Sequence, residues 1–157
     1  MEQRQVDACR VTSHHEAGHI VAGWIHGLPL RAAYVKGGEG AVYLSRFYLW
    51  TSMFREVSQE TVRQKVLFIM SGRYASTLAG FADAEEVWHS DAYLSWFLSR
   101  KFALDTREIA RDAEYLVLRN KEPIRLVAER LYQKGKLNWY ELALMRMDFL
   151  AQGSLIH

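Results

Sequence analysis

The stretch HHEAGHIVAGWIHGLP, His14 to Pro29, constrains this chain more than any other. Ala17, Ile20, Val21 and Trp24 recur at helical spacing, and Gly27 followed by Pro29 ends the run, which predicts a helix from about Gln5 to His26. Gly18 and Gly23 lie inside that helix, where each costs roughly 1 kcal/mol relative to alanine. Such a cost is understandable where another backbone or a substrate comes close.

On this helix His15 and His19 are four residues apart, about 40° in azimuth and ~6 Å in rise, so both imidazoles can face one ion. Glu16 lies ~100° round from His15, within reach of a water on such an ion but badly placed to be a third ligand. That is the pattern of a zinc site in which two histidines hold the metal and the glutamate acts as general base in hydrolysing a peptide bond. A third ligand is needed. His14 faces ~100° away, and His26 sits ~10 Å further along the helix, where it is expected to line or flank the cleft. The extended metzincin pattern fails, because its glycine and histidine positions hold Ala22 and Ile25. Glu85, Glu86, His89 and Asp91, in DAEEVWHSDAY, remain open.

After the helix, LRAAYVKGGEGAVYLSRF reads as a hairpin, with strands near Leu30–Val35 and Ala41–Phe47 and a glycine-rich loop longer than the tightest turn. Ser58 is placed to cap a helix that carries Val62, Val66, Ile69 and Met70 and ends at Gly80. Ser90 or its neighbour is placed to cap a further helix that carries Leu94, Trp96, Phe97 and Phe102. Asp105 with Glu108, and Asn138 with Glu141, have capping-box spacing, while Pro123 suits the first turn of a helix that stops at Gly135. The expected fold is mainly α (α+β): helices with a small hairpin beside the zinc helix, in one domain over residues 1–157.

Composition excludes several classes. A formal charge of +2 with no basic patch argues against nucleic acid as partner, and no apolar run reaches the ~20 residues of a membrane span. A single cysteine, Cys9, and no secretory leader lead to the expectation of a reducing, cytoplasmic setting without direct membrane insertion.

The motif residues resemble the peptidase domain of the FtsH family of ATP-dependent zinc proteases. HEAGH followed by small apolar residues is that family's zinc-helix signature. VLFIMSGRYAS is similar to its helix containing Gly-Gly-Arg-x-Ala-Glu, with Gly72, Arg73 and Ala75 in place and Ser76 and Thr77 where acidic residues usually stand. HSDAY falls where the family has its third ligand, and LVAERLYQKGKLNWYELALM resembles its closing helix-turn-helix, so the likeness spans almost the whole chain. The resemblance implies Zn²⁺ held by His15, His19 and Asp91, with His89 as the other choice for the third ligand, and Glu16 as the catalytic base. No ATPase module stands in this sequence, so the expectation is a stand-alone metalloendopeptidase acting on unfolded proteins or peptides. Such a substrate is expected to add as a strand along Ala41–Ser45, where prolines at Val42 and Leu44 would interfere. The alternatives are a narrow-specificity peptidase like the repressor-cleaving ImmA-like enzymes, a subunit docking on a separate ATPase, or a non-catalytic interaction module. A homo-oligomeric ring is a family expectation only.

Overall fold

The computed structural model describes residues 2–46, 57–81 and 89–151; within the first and third helices side chains are described from Ala8 and Ser90 onward. The elements run α1 (Glu2–Ile25), β1 (Leu30–Lys36), β2 (Glu39–Leu44), α2 (Gln59–Leu78), α3 (His89–Lys101), α4 (Thr106–Arg119), α5 (Lys121–Lys134), β3 (Lys136–Asn138) and α6 (Trp139–Ala151). The architecture is mainly helical with one small antiparallel sheet, as expected. None of the described helices is long and apolar enough to cross a membrane.

α1 is the centre of the molecule. From Thr12 to Trp24 every residue except His14 is buried, because the helix is covered by α2, α5 and the sheet. Two of its glycines explain how close that cover comes. A β-carbon on Gly18 would lie 2.4 Å from the Ser71 carbonyl oxygen and 2.6 Å from Cβ of Ala75, so α2 crosses α1 almost in backbone contact. At Gly23 a β-carbon would lie 3.0 Å from the Leu30 side chain. The expected close approach of a second backbone thus holds for Gly18 but not for Gly23.

The hairpin differs from expectation at both ends of β2. The loop is the tight two-residue turn Gly37–Gly38, with Lys36 paired to Glu39, so Glu39 and Gly40 belong to the strand. Both turn residues have positive φ, 62° and 91°, which glycine adopts without strain and which matches the twist of the flanking strands. The second strand ends at Leu44, where the Ser45 N–H donates to the Pro29 carbonyl; Phe47 lies outside the described residues.

A third strand, β3, completes the sheet in the order β2–β1–β3, pairing Leu137 with Ala33. Three residues are too few to show a period of two, so no pattern in the sequence marks this strand. Leu137 is nevertheless fully buried, in the main core with Trp24, Ala33, Leu131 and Leu142. The capping signals hold: Ser58 Oγ accepts from the Thr61 N–H, Asp105 from Arg107 and Glu108, and Asn138 from Tyr140 and Glu141, whose carboxylate accepts in return from the Asn138 N–H. Gly135, at φ 68°, ends α5 in the left-handed conformation. A smaller core, Val62, Val66, Leu67, Ile109 and Ala113, lies between α2 and α4.

Candidate metal centre

His15 and His19 project from the buried stretch of α1 and are 2% and 6% exposed, an expensive place for imidazoles that have no specific partner. Their Nε2 atoms are 2.9 Å apart, and Oδ2 of Asp91, in the first turn of α3, lies 2.9 Å from His15 and 3.1 Å from His19. Three potential ligand atoms therefore converge on one point. A tetrahedral zinc with bonds of ~2.0–2.1 Å holds its ligand atoms about 3.3 Å apart, so this triangle is only a few tenths of an ångström tight for such an ion.

Nδ1 of His19 is 2.8 Å from the Phe68 carbonyl. A carbonyl can only accept, so Nδ1 carries a proton and, in the neutral ring, Nε2 turns its lone pair toward His15 and Asp91. Two acceptors, His19 Nε2 and the Asp91 carboxylate, then face each other at 3.1 Å, which requires a proton or a cation between them. Burial opposes charge on His19, yet its bond to Asp91 and the negative charges of Glu16 and Asp91 outweigh that and raise its pKa. Burial also dominates at His15 and lowers its pKa to about 4, so this ring stays neutral. Asp91 is desolvated too, but the bonds from both histidines hold its carboxyl well below the usual range, and its place at a helix N-terminus favours the anion. The donor set, two imidazoles and a carboxylate, suits a divalent ion, whose binding would compete with any proton shared between these groups.

Glu16 stands outside this triangle. It is 4% exposed and pressed against the hairpin: a β-carbon on Gly40 would meet its Cγ and Oε1 at 2.8 Å. Burial pushes its pKa up to about 7, where a general base works efficiently near neutrality. The hairpin is tied over it by Thr12, whose Oγ1 is 2.7 Å from the Gly38 carbonyl.

Glu16 and the three converging residues open onto a cleft of about 500 Å³ bounded by β2 at Gly40–Val42, by Phe68 and Ile69 of α2, and by Leu94 of α3. One edge of β2 faces this cleft, since β1 occupies the other. The Val35 N–H points away from β2, to the Gly135 carbonyl at 2.8 Å, so its partner Gly40 likewise turns its N–H and C=O outward, as does Val42 two residues on.

The other histidines separate. His26, expected at the cleft, lies beyond its lining at the far end of α1, near Glu60 and Arg63, because a helix carries it too far along the axis. His14 faces a different cavity, with Arg10 and Tyr132. Ser90, expected as a cap, falls within α3, which begins at His89, and lines the cleft. Glu85 and Glu86, and the side chain of His89, lie outside the described residues.

Gly72 gains a role the motif alone did not give it. A β-carbon there would lie 2.6 Å from His19 Nε2 and 2.8 Å from His15 Nε2, so α2 can cover the imidazoles only where it has no side chain. No sequence signal could have identified the Phe68 carbonyl, a backbone group whose role depends on how two helices cross. No protein-family model matches this chain, and no curated protein matches it significantly.

Proposed function

We propose that this protein is a zinc-dependent metalloendopeptidase of the FtsH-like peptidase type, acting on unfolded polypeptides or peptides. One observation carries the reading: His15 Nε2, His19 Nε2 and Asp91 Oδ2 meet within 3.1 Å of one another, with Glu16 beside them but outside the set. This is the division of labour that metal-assisted hydrolysis needs. Zinc held by these three groups would supply Lewis acidity toward a carbonyl and toward water.

The chain's own residues would do the rest. A Glu16 carboxylate oxygen takes a proton from the attacking water as its oxygen bonds to the scissile carbon. The same proton passes to the nitrogen of the leaving amine as the C–N bond breaks. The outward N–H and C=O groups of Gly40 and Val42 offer a substrate backbone a strand to pair with, which binds many sequences because it reads no side chain. Phe68 and Leu94 flank the paired segment with apolar surface.

The test measures zinc per chain in protein purified without added metal, for the wild type and for Glu16→Gln, together with cleavage of an unfolded casein-like substrate. Near-stoichiometric zinc in both, with cleavage in the wild type alone, supports the reading; wild-type protein without zinc after incubation with the metal would remove it. Val42→Pro takes away one outward N–H and is expected to raise KM at least tenfold with zinc retained. An unchanged KM would rule out strand pairing.

A further inference from the structure

α3 is turned inside out. Its buried residues are Ser95 and Ser99, while Tyr93, Leu94, Trp96 and Phe97 are exposed, Tyr93 at 65% and Trp96 at 51%. A buried polar side and an exposed large apolar side are the two observations that ordinary folding does not account for. At the C-terminal end of the patch two cations lie on the rings: the Arg100 guanidinium is 5.6 Å from the Trp96 ring centre, and the Lys101 ammonium 6.0 Å from that of Phe97.

The patch is continuous with the cleft. Leu94 belongs to both, one turn beyond Asp91, and Tyr93 stacks on Phe97 with ring centres 6.4 Å apart. A chain leaving the cleft past Leu94 meets the aromatic rings next and the two cations last. From Leu94 to Lys101 the helix rises ~10 Å, a distance that about three residues of extended chain cover.

We infer that the outer face of α3 is a second binding site for the substrate polypeptide, taking a segment of aromatic or aliphatic side chains followed within about three residues by acidic ones. The inference rests on the peptidase reading for the nature of its ligand. The rings receive the apolar side chains, and Arg100 and Lys101 pair with the carboxylates. Apolar and acidic content together, placed outside the cleaved segment, would select substrates that backbone pairing along β2 cannot distinguish.

The experiment uses the full chain as Glu16→Gln, which cannot turn substrate over, and measures binding of fluorescein-labelled peptides by anisotropy. One peptide is a bare eight-residue apolar segment; others carry the same segment with Phe-Leu-Asp-Asp added at its C-terminus or Asp-Asp-Leu-Phe at its N-terminus, or with the same tails bearing lysine in place of aspartate. The acidic tail at one end is expected to tighten binding at least tenfold over the bare peptide, and the lysine tail is not. In Trp96→Ser/Phe97→Ser, and separately in Arg100→Glu/Lys101→Glu, that tenfold ratio is expected to fall to about one. All four side chains are at the surface, so circular dichroism should report the same fold. Equal affinity for tailed and bare peptides, or a ratio that survives both double variants, would overturn the proposal. So would vesicles of anionic phospholipid that retain the parent protein but not the serine variant while the tails have no effect, since that result assigns the face to a membrane surface. Zinc content and wild-type cleavage of the bare peptide report on the peptidase reading separately, so failure of one is not mistaken for failure of the other.

Discussion

α1 seats His15 and His19 by sinking Ile20, Val21 and Trp24 into the main core, whereas α3 seats Asp91 on Ser95, Ser99 and the half-buried Leu98 and Phe102. The first helix is covered on nearly all sides; the second packs chiefly on α2. Two of the three converging groups therefore belong to the part of the molecule whose loss is loss of the fold, and the third belongs to an attached element. Side-chain exposure follows the same division, 2% and 8% for the histidines against 29% for Asp91. The histidine pair should behave as preformed and Asp91 as the adjustable ligand, and substitutions on the two sides should separate stability from metal affinity.

Gly18→Ala should have the largest effect. In an isolated helix alanine is better than glycine by ~1 kcal/mol, so local propensity alone predicts stabilisation. Here the new methyl would lie 2.4 Å from the Ser71 carbonyl, a backbone atom that moves only with α2. Overpacking of this kind costs about 1–3 kcal/mol, and the expected outcome of urea denaturation is a net loss of stability together with loss of metal uptake. An unchanged or raised midpoint would mean that the crossing of α1 and α2 is looser than the close approach implies.

Asp91→Ala is the counterpart on the other side. Removing one of the three proposed ligands should weaken zinc binding by more than the roughly 10–100-fold typical of an outer-shell partner. Metal-free stability should fall by about 1–2 kcal/mol, because two buried imidazoles lose their carboxylate partner while no core contact is lost. Competitive chelator titration and urea denaturation measure the two quantities. Equal damage from Gly18→Ala and Asp91→Ala in both would erase the distinction.

Much of the first region could be read from the sequence. The HExxH spacing gave the paired imidazoles and the separate glutamate, and Gly18 pointed to the close crossing, because a helix imposes those relations locally. Asp91 was one of four open choices until the resemblance singled it out, since its meeting with α1 depends on a contact 76 residues away in sequence. The tight turn was misjudged because KGGEG leaves the register open, and β3 was passed over because its partner is distant in the chain. The outward face of α3 is hidden by its own composition: Leu94, Trp96 and Phe97 mark a helix without saying which side is buried, and only the fold places the serines inside.

Glu16 gives an effect that only a change of pH reveals. Its pKa is raised by burial from 4.5 to about 7 in the folded chain, so the protonated form is the one the fold prefers. The stability it contributes is fully present below about pH 4.5 and is lost as pH rises through about 7, a loss on the order of 3 kcal/mol. Glutamine keeps the shape without the charge. Metal-free Glu16→Gln should therefore match the wild type at pH 4.5 and exceed it in melting temperature at pH 8. A difference between the two proteins that does not change with pH would show that Glu16 is solvated rather than pressed beneath Gly40.

Ser99→Ala should have the smallest effect, and it examines the seat of Asp91 directly. Ser99 is 2% exposed and its Oγ has no hydrogen-bond partner among the described residues, whereas the Ser95 hydroxyl lies 3.0 Å from the Ala92 carbonyl. A buried hydroxyl left unpaired costs roughly 1–3 kcal/mol in desolvation, and alanine removes that cost while leaving only a small void. The net expectation is a stabilisation of about 0.5–1 kcal/mol, seen as slower amide exchange along α3 and, because Asp91 is then held more firmly, slightly tighter zinc binding. Slower exchange without tighter binding would mean that the first turn of α3 is positioned by its contacts in the cleft and not by the serine face below it.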